Sequence, residues 1–497
     1  MKKIQLLYVI NERSKKNELI QQDLTFFVLL ENVAYAKKLD IVWAGEDGVW
    51  HTSPGMYHSS PEKDKDYWFA KATFVSNSDE ALPGNIEFSL CYRVLENEYW
   101  DNNHGLNYSS RSNAGIQIFK HHPLLNIGFD KSLHVDKRVI PITIAATQSL
   151  CAEKITIHWT TDDWKHSHVT RCHLMRSGTL DREGKPTQDG VQVWKGLLVI
   201  GHAFRLEYCI CCESADQVSW DNNFGHNYTA SRKALKVLIL NLHCYQEDNQ
   251  DHKLSQIARA INELDIDVVC LQEVAELWNE GKGDWESNSA KIINDRLAAP
   301  YHLQTDWSHL GFDQYREGVA VLSRYPIEKH DSRYVSNTDD PYNINARKVV
   351  MAQVSVPYIG LINFFSCHLS WWQDGFSEQF ENLLQWANSK NTWHIKGTLL
   401  CGDFNIKAGS RGYEQVVDSN KYSDQFLAVN SPPVYQKIFV DKRPHWQRYL
   451  ADDHRIDYIF MKKPSELKVT SGRQLFTEQD YGSVSDHCGY LMTFEPK

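Results

Sequence analysis

Residues 398–405 read TLLCGDFN. An apolar run passes through a glycine and stops on two polar residues, Asp403 and Asn405. An unbroken apolar run is what a strand buried on both faces requires. Polar residues at the end of such a strand are where sheet-based enzymes gather their chemistry. The same pattern recurs on both sides. Upstream, LKVLILNLH (235–243) closes on Asn241, IDVVCLQE (266–273) closes on Gln272 and Glu273, and YIGLINFFSCHLS (358–370) carries His368. Downstream, RIDYIFM (455–461) carries Asp457, and SVSDHCGY (483–490) carries Asp486 and His487. Between these runs the period changes. HKLSQIARAINEL (252–264) sets Leu254, Ile257, Ala258, Ile261 and Leu264 on one helical face, and SEQFENLLQWANSK (377–390) is a second helical stretch. Buried strands interleaved with amphipathic helices predict one α/β domain over 235–497.

Ahead of it the chain repeats itself. Residues 85–110 read NIEFSLCYRVLENEYWDNNHGLNYSS, and residues 205–230 read RLEYCICCESADQVSWDNNFGHNYTA. Trp100, Asp101, Asn102, Asn103, Gly105, Asn107 and Tyr108 recur 120 positions later as Trp220, Asp221, Asn222, Asn223, Gly225, Asn227 and Tyr228. Fainter matches precede each copy, so two modules are expected, over 10–125 and 135–232. Within each, apolar and polar residues alternate with period two, and turn-rich stretches such as ALPGN, TTDD and DREGKPTQDG separate the runs. Short alternating strands with frequent turns predict all-β sandwiches.

Taken singly, a terminal Asp is most often a cap, and a strand His is most often a hydrogen-bonded core residue. The ordered set carries the weight. LN, QE, a central His, GDFN, DYIF and SDH resemble, in that order, the endonuclease/exonuclease/phosphatase superfamily over 236–497. The resemblance implies a four-layer α-β-β-α sandwich and hydrolysis of a phosphoester. It implies that Asn241, Glu273 and Asp486 serve Mg²⁺ or Mn²⁺, hard cations that take oxygen ligands. It implies catalytic roles for His368, Asp403, Asn405, Asp457 and His487. Asp403 would activate water, Asn405 would donate to the phosphate, and His487, held by Asp457, would face the phosphoryl group. Glu317, in REGVAVLS (316–323), is a candidate partner for His368.

The repeats resemble the starch- and glycogen-binding modules of carbohydrate-binding family 21. That likeness implies sugar contacts from Trp100, Asn102, Asn107 and Tyr108, and from Trp220, Asn222, Asn227 and Tyr228. The alternative is structural: core tryptophans and a tight turn. Trp371, Trp372 and Phe376, just after His368, read equally as core or as an aromatic platform for a sugar ring.

Composition narrows the substrate. The net charge is −10, and residues 236–497 hold 27 Lys and Arg against 35 Asp and Glu. Nucleic-acid binding draws on clustered cations, and RPHWQRY (443–449) is the single local candidate. A nuclease is therefore disfavoured. A sphingomyelinase calls for export, and MKKIQLLYVINERSKK is a weak leader, so a cytoplasmic protein with no membrane partner is expected. The chain has 11 cysteines, and Cys270, Cys367 and Cys401 sit inside apolar runs, as free thiols do in a reducing compartment. The whole layout resembles bacterial maltose 6'-phosphate phosphatases, which implies a phosphorylated sugar or α-glucan as the partner.

Overall fold

The computed structural model describes residues 3–78, 81–119, 122–175, 191–418, 420–430 and 455–497. The turn at 181–190 and the basic stretch at 443–449 lie outside the described residues. The chain divides into two compact units, Met1–Arg232 and Lys233–Lys497.

The first unit is built of β-sheets. Its opening hairpin pairs Ile4–Lys16 with Leu19–Glu31 along nearly their full length, turning through Asn17 at φ 56. One five-stranded sheet holds this hairpin, and another is centred on Lys37–Ala44 and Ile86–Val94. Val9, Phe26, Val28, Ile41, Phe88 and Leu90 fill the space between them, as the period-two alternation requires. Two further sheets are centred on Val139–Thr147 with Val191–Val199 and on Lys154–Thr160 with Arg205–Glu213. Their core includes Ile144, Ile157 and Ile210, and it also takes in Tyr8, Phe27 and Tyr67 from the earlier segment. The two sequence repeats thus share apolar packing inside one unit.

The second unit holds two six-stranded sheets. The first runs in the order His302–Gly311, Tyr315–Ser323, Val268–Leu277, Leu235–Asn241, Gly489–Pro496, Leu467–Leu475. The second runs Ile327–Tyr334, Lys348–Val356, Gly360–His368, Ile395–Asp403, Asp457–Lys462, Tyr422–Asp424. Each has one parallel pair at its centre, and these pairs end in functional positions: Asn241 lies opposite Gln272, and His368 opposite Asp403. Helix Gln250–Glu263 buries Leu254, Ile257, Ala258 and Ile261 with Leu238 and Leu240 of the first sheet. Helix Phe376–Lys390 buries Phe376, Phe380 and Leu383 with Phe365 and Leu400 of the second. Each fully buried aliphatic side chain contributes roughly 1.5–3 kcal/mol. Among the described residues, no helix is long and apolar enough to cross a membrane.

The two sheets meet through polar as well as apolar groups. Gln272 Nε2 donates to Ser366 Oγ (3.0 Å), and that hydroxyl donates to the Leu271 carbonyl (2.9 Å). Gly402 sits at this junction, against Gln272 of the other sheet. A Cβ there would fall 2.3 Å from the Cys367 carbonyl oxygen and 2.6 Å from Gln272 Nε2, and its φ is +132. The glycine before Asp403 is a steric necessity of this approach.

Candidate active site

Four strands deliver the central groups. His368, Asp403 and Asp457 occupy matched register positions on three neighbouring strands. Glu273 comes from the other sheet, and the way it does so is local. The pairing of Val268–Leu277 with Tyr315–Ser323 slips between Gln272 and Val274, and Glu273 takes φ 49. An extra residue in a strand bends it and re-aims a side chain. Here the bulge turns Glu273 toward Asn241 and Asp403. Asn405 also adopts a left-handed backbone, at φ 51. Such conformations are costly and persist where surrounding structure holds them.

Asn241 links the two carboxylates. Its Nδ2 donates to Glu273 Oε1 (2.8 Å) and to Asp403 Oδ2 (3.1 Å), while its Oδ1 accepts from the His243 backbone (3.1 Å). Asp403 Oδ1 accepts from the Asn405 backbone (2.8 Å), and Asn405 Nδ2 donates to the Leu369 carbonyl (2.8 Å). Both carboxyls are costly to charge. Burial, then repulsion from Glu317 and Asp486, pushes Glu273 up to about 7. Burial, then repulsion from Asp457, pushes Asp403 up to about 7.

The two histidines are driven in opposite directions. His487 Nδ1 lies 2.8 Å from Asp457 Oδ2, and its Nε2 lies 3.9 Å from Asp403 Oδ2. Burial alone would lower its pKa, but the charge and hydrogen bond of Asp457 hold it well above the usual range, with help from Asp486 and Asp403. His368 is held well below that range by burial and by the Arg347 charge. Arg347 Nη1 donates to His368 Nδ1 (3.2 Å). An arginine only donates, so the His368 proton sits on Nε2, 3.9 Å from Glu273 Oε1 and 3.8 Å from Asp403 Oδ2.

Asn241, Glu273, His368, Asp403, Asn405, Asp457 and His487 therefore form one connected group. Asp486 raises the proton affinity of Glu273, and its carboxylate also groups with His243 and Glu247. His243 Nδ1 is 2.6 Å from Glu247 Oε1 and 3.6 Å from Asp486 Oδ1. Glu317 lies 3.9 Å from His368 Nδ1 and nearer, at 3.5 Å, to His309 Nε2. Glu317, the candidate partner, thus lies beside His368, while the hydrogen bond at His368 Nδ1 comes from Arg347. His243, Glu247, His309 and Arg347 were missed in the sequence. His243 and Glu247 had a signal, since they follow Asn241 by two and six positions. Arg347 and His309 had none, because a lone Arg or His near a strand end reads as surface.

The repeated turn folds the same way in both copies. Asn102 and Asn222 cap it, each accepting from a glycine backbone nitrogen at 3.0 Å. Asn107 donates to Glu87 and Asn227 to Glu207, both at 2.7 Å. Tyr108 donates to Asp101, and Tyr228 to Asp221. Tyr228 is 3% exposed, so its expected contact with sugar is corrected to a place in the core. Asn102, Asn107, Asn222 and Asn227 spend these polar groups on the turn itself. Trp100 and Trp220 remain about half exposed, at 48% and 52%. Phe376 is likewise core, stacked on Phe380, and Trp372 is covered by Arg411. The aromatic platform expected after His368 is reduced to Trp371 and Trp372, both half-buried.

Buried carboxylates on strand ends, two histidines and an Asp–His pair are groups that a hydrolase acting on phosphoesters uses. Residues 239–487 match the Endonuclease/Exonuclease/phosphatase family, and the chain belongs to it. Enzymes of this family are generally dependent on a divalent metal. Residues 7–111 match a carbohydrate/starch-binding module of family 21. The uncharacterized protein YbhP of Escherichia coli K12 is 29% identical over 182 residues, which is 35% of this chain and 67% of that protein. Among solved structures, an endonuclease/exonuclease/phosphatase family protein from Leptotrichia buccalis is 30% identical, with a TM-score of 0.45, over 53% of this chain and all of that one. The mannosyl-6-phosphatase Bt3783 of Bacteroides thetaiotaomicron is 17% identical, with a TM-score of 0.38, over 52% of this chain and 97% of that one.

Proposed function

We propose that this enzyme is a phosphoric monoester hydrolase that removes phosphate from a phosphorylated α-glucoside, maltose 6'-phosphate foremost, in cytoplasmic sugar catabolism. One observation carries the reading: the phosphoester site and a starch-binding module share a chain. The net charge of −10 supports it against a polynucleotide substrate. The domains are taken as 10–125, 135–232 and 235–497. The last is read as a four-layer α-β-β-α sandwich, supported by a helix packed on each sheet.

The donor set suits a hard divalent cation. Glu273 and Asp403 share one amide donor, and neighbouring carboxylates add to the cost of charging both. Glu273 would hold Mg²⁺ or Mn²⁺, with Asn241 and Asp486. The bound cation supplies positive charge where negative charge builds on the phosphoryl oxygens. Asp403, fixed by Asn241 and the Asn405 backbone, takes a proton from the attacking water. His487, kept as an imidazolium by Asp457, donates toward the phosphoryl group, and Asn405 donates to one of its oxygens. Neutral His368 offers its Nε2 hydrogen to the same space. In the first unit, Trp100 and Trp220 offer indole faces to glucose rings.

The test is a substrate panel. Purified protein with Mg²⁺ is given maltose 6'-phosphate, bis(4-nitrophenyl) phosphate, duplex DNA and sphingomyelin in separate assays. Phosphate release from the sugar phosphate, lost in Asp403→Ala, is expected. Nicking of DNA lost in that variant, with the sugar phosphate untouched in wild type, overturns the reading.

A further inference from the structure

Arg347 stands just before strand Lys348–Val356 and is 8% exposed. Its backbone is fixed on both sides: its N–H donates to Ser336 Oγ (2.8 Å), and its carbonyl accepts from Val335 (2.9 Å). The guanidinium has two hydrogen-bond partners among the described residues, and neither is a carboxylate. Nη1 donates to His368 Nδ1 (3.2 Å), and Nε donates to Ser370 Oγ (3.4 Å). Glu317 feels its charge, but that carboxylate sits against His309 and His368. Among the described residues, Arg347 has no ion pair within 4 Å.

This is an unusual situation for an arginine. The guanidinium is always charged, and a buried charge is ordinarily matched by an opposite one. Asp424 and Arg455 of the same unit pair in the usual manner. Arg347 is instead held at one edge of an imidazole whose other nitrogen points at Glu273 and Asp403. A planar cation with unspent donors, beside a site for phosphoesters, lacks one thing: an anion with paired oxygens.

We propose that Arg347 is the anchor for the phosphoryl group, binding two of its non-bridging oxygens, and that it gives the site its preference for a dianionic monoester over a monoanionic diester. This rests on the monoester reading above. The ground is charge: a phosphate monoester carries a second negative charge that a diester lacks, and a fixed cation rewards it. Contact with His368 adds a positioning effect, because Arg347 also fixes which imidazole nitrogen bears the proton.

The experiment uses the full chain with Mg²⁺, as wild type, Arg347→Met and Arg347→Lys. Kinetics are measured on 4-nitrophenyl phosphate and bis(4-nitrophenyl) phosphate, and inorganic phosphate binding is measured by calorimetry. In Arg347→Met, monoester kcat/KM and phosphate affinity are each expected to fall about tenfold to a hundredfold, and diester kcat/KM to fall by a clearly smaller factor, because a diester offers the same two oxygens but one negative charge fewer. Arg347→Lys is expected to recover part of the phosphate affinity but not all of it, because an ammonium cannot grip two oxygens as a fork. Unchanged phosphate affinity in Arg347→Met overturns the proposal. So does a parallel fall in monoester and diester turnover, which marks a residue that only positions His368. Wild type that cleaves the diester alone overturns the monoester reading instead, and the calorimetry still decides whether Arg347 holds phosphate. If Arg347→Met does not fold, Arg347→Gln and Arg347→Lys decide by the same measurements.

Discussion

At the residue scale, the centre of this site is an electrostatic conflict. Glu273 and Asp403 are buried, share the Asn241 amide, and are pushed toward the protonated form by their carboxylate neighbours. A divalent cation resolves the conflict, so binding should appear as stability as well as activity. A ligand that binds only the folded state at a hundred times its Kd stabilises it by about 2.7 kcal/mol. For a domain of this size that is a rise in Tm of roughly 5–10 °C. Differential scanning calorimetry after EDTA treatment should show this rise on adding Mg²⁺ or Mn²⁺, with none in Glu273→Gln. A wild-type unfolding curve indifferent to both ions, or an equal rise in the variant, would sink the assignment of Glu273 as a ligand. These residues were legible in the sequence because each ends an apolar run. Arg347 was not, since its meaning lies in having no carboxylate within ion-pair distance among the described residues, and only three-dimensional neighbours reveal that.

At the scale of elements, the apolar runs gave the strands and their ends, but not their rotation. Glu273 faces the site because a single bulge at its own position shifts the register of its strand. Period-two reading assumes a regular pleat, so a one-residue irregularity is invisible to it. The junction of the two sheets has the same character. Gly402 read as part of a motif, and the structure gives it a physical cause: its position cannot hold a Cβ beside the Cys367 carbonyl and Gln272. Gly402→Ala would have to displace the Cys367 carbonyl of the neighbouring strand and the Gln272 amide of the other sheet, and also place alanine at φ +132. Combined strain of this kind costs on the order of 3 kcal/mol or more. Urea unfolding of the variant should show at least that loss, with Asp403 displaced and activity reduced more than a hundredfold. Wild-type stability with full activity would show that the junction is looser than these distances require.

At the scale of the whole molecule, the sequence disclosed a repeated turn, and the structure changes what that turn is for. Its asparagines and Tyr228 hold the loop together, whereas Trp100 and Trp220 stay half exposed at matching places in the two copies. The residues shared most conspicuously by the repeats are thus mostly the residues that build them. The proposed recognition of a glucan by this unit then rests on two indole faces. An aromatic ring packed on a sugar is a large part of such weak binding, and two of them on one chain act together through effective concentration. Replacing one tryptophan should therefore weaken retention on immobilised amylose several-fold, and replacing both should abolish it. The catalytic unit has its own core and its own site, so Trp100→Ala with Trp220→Ala should leave the hydrolysis of 4-nitrophenyl phosphate within about twofold of wild type. Affinity electrophoresis in amylose and a steady-state assay on the same preparations decide the matter. Retention that survives in the double variant would move sugar binding to another face of the first unit, and a matching collapse of hydrolysis would mean that the tryptophans support the fold rather than the ligand.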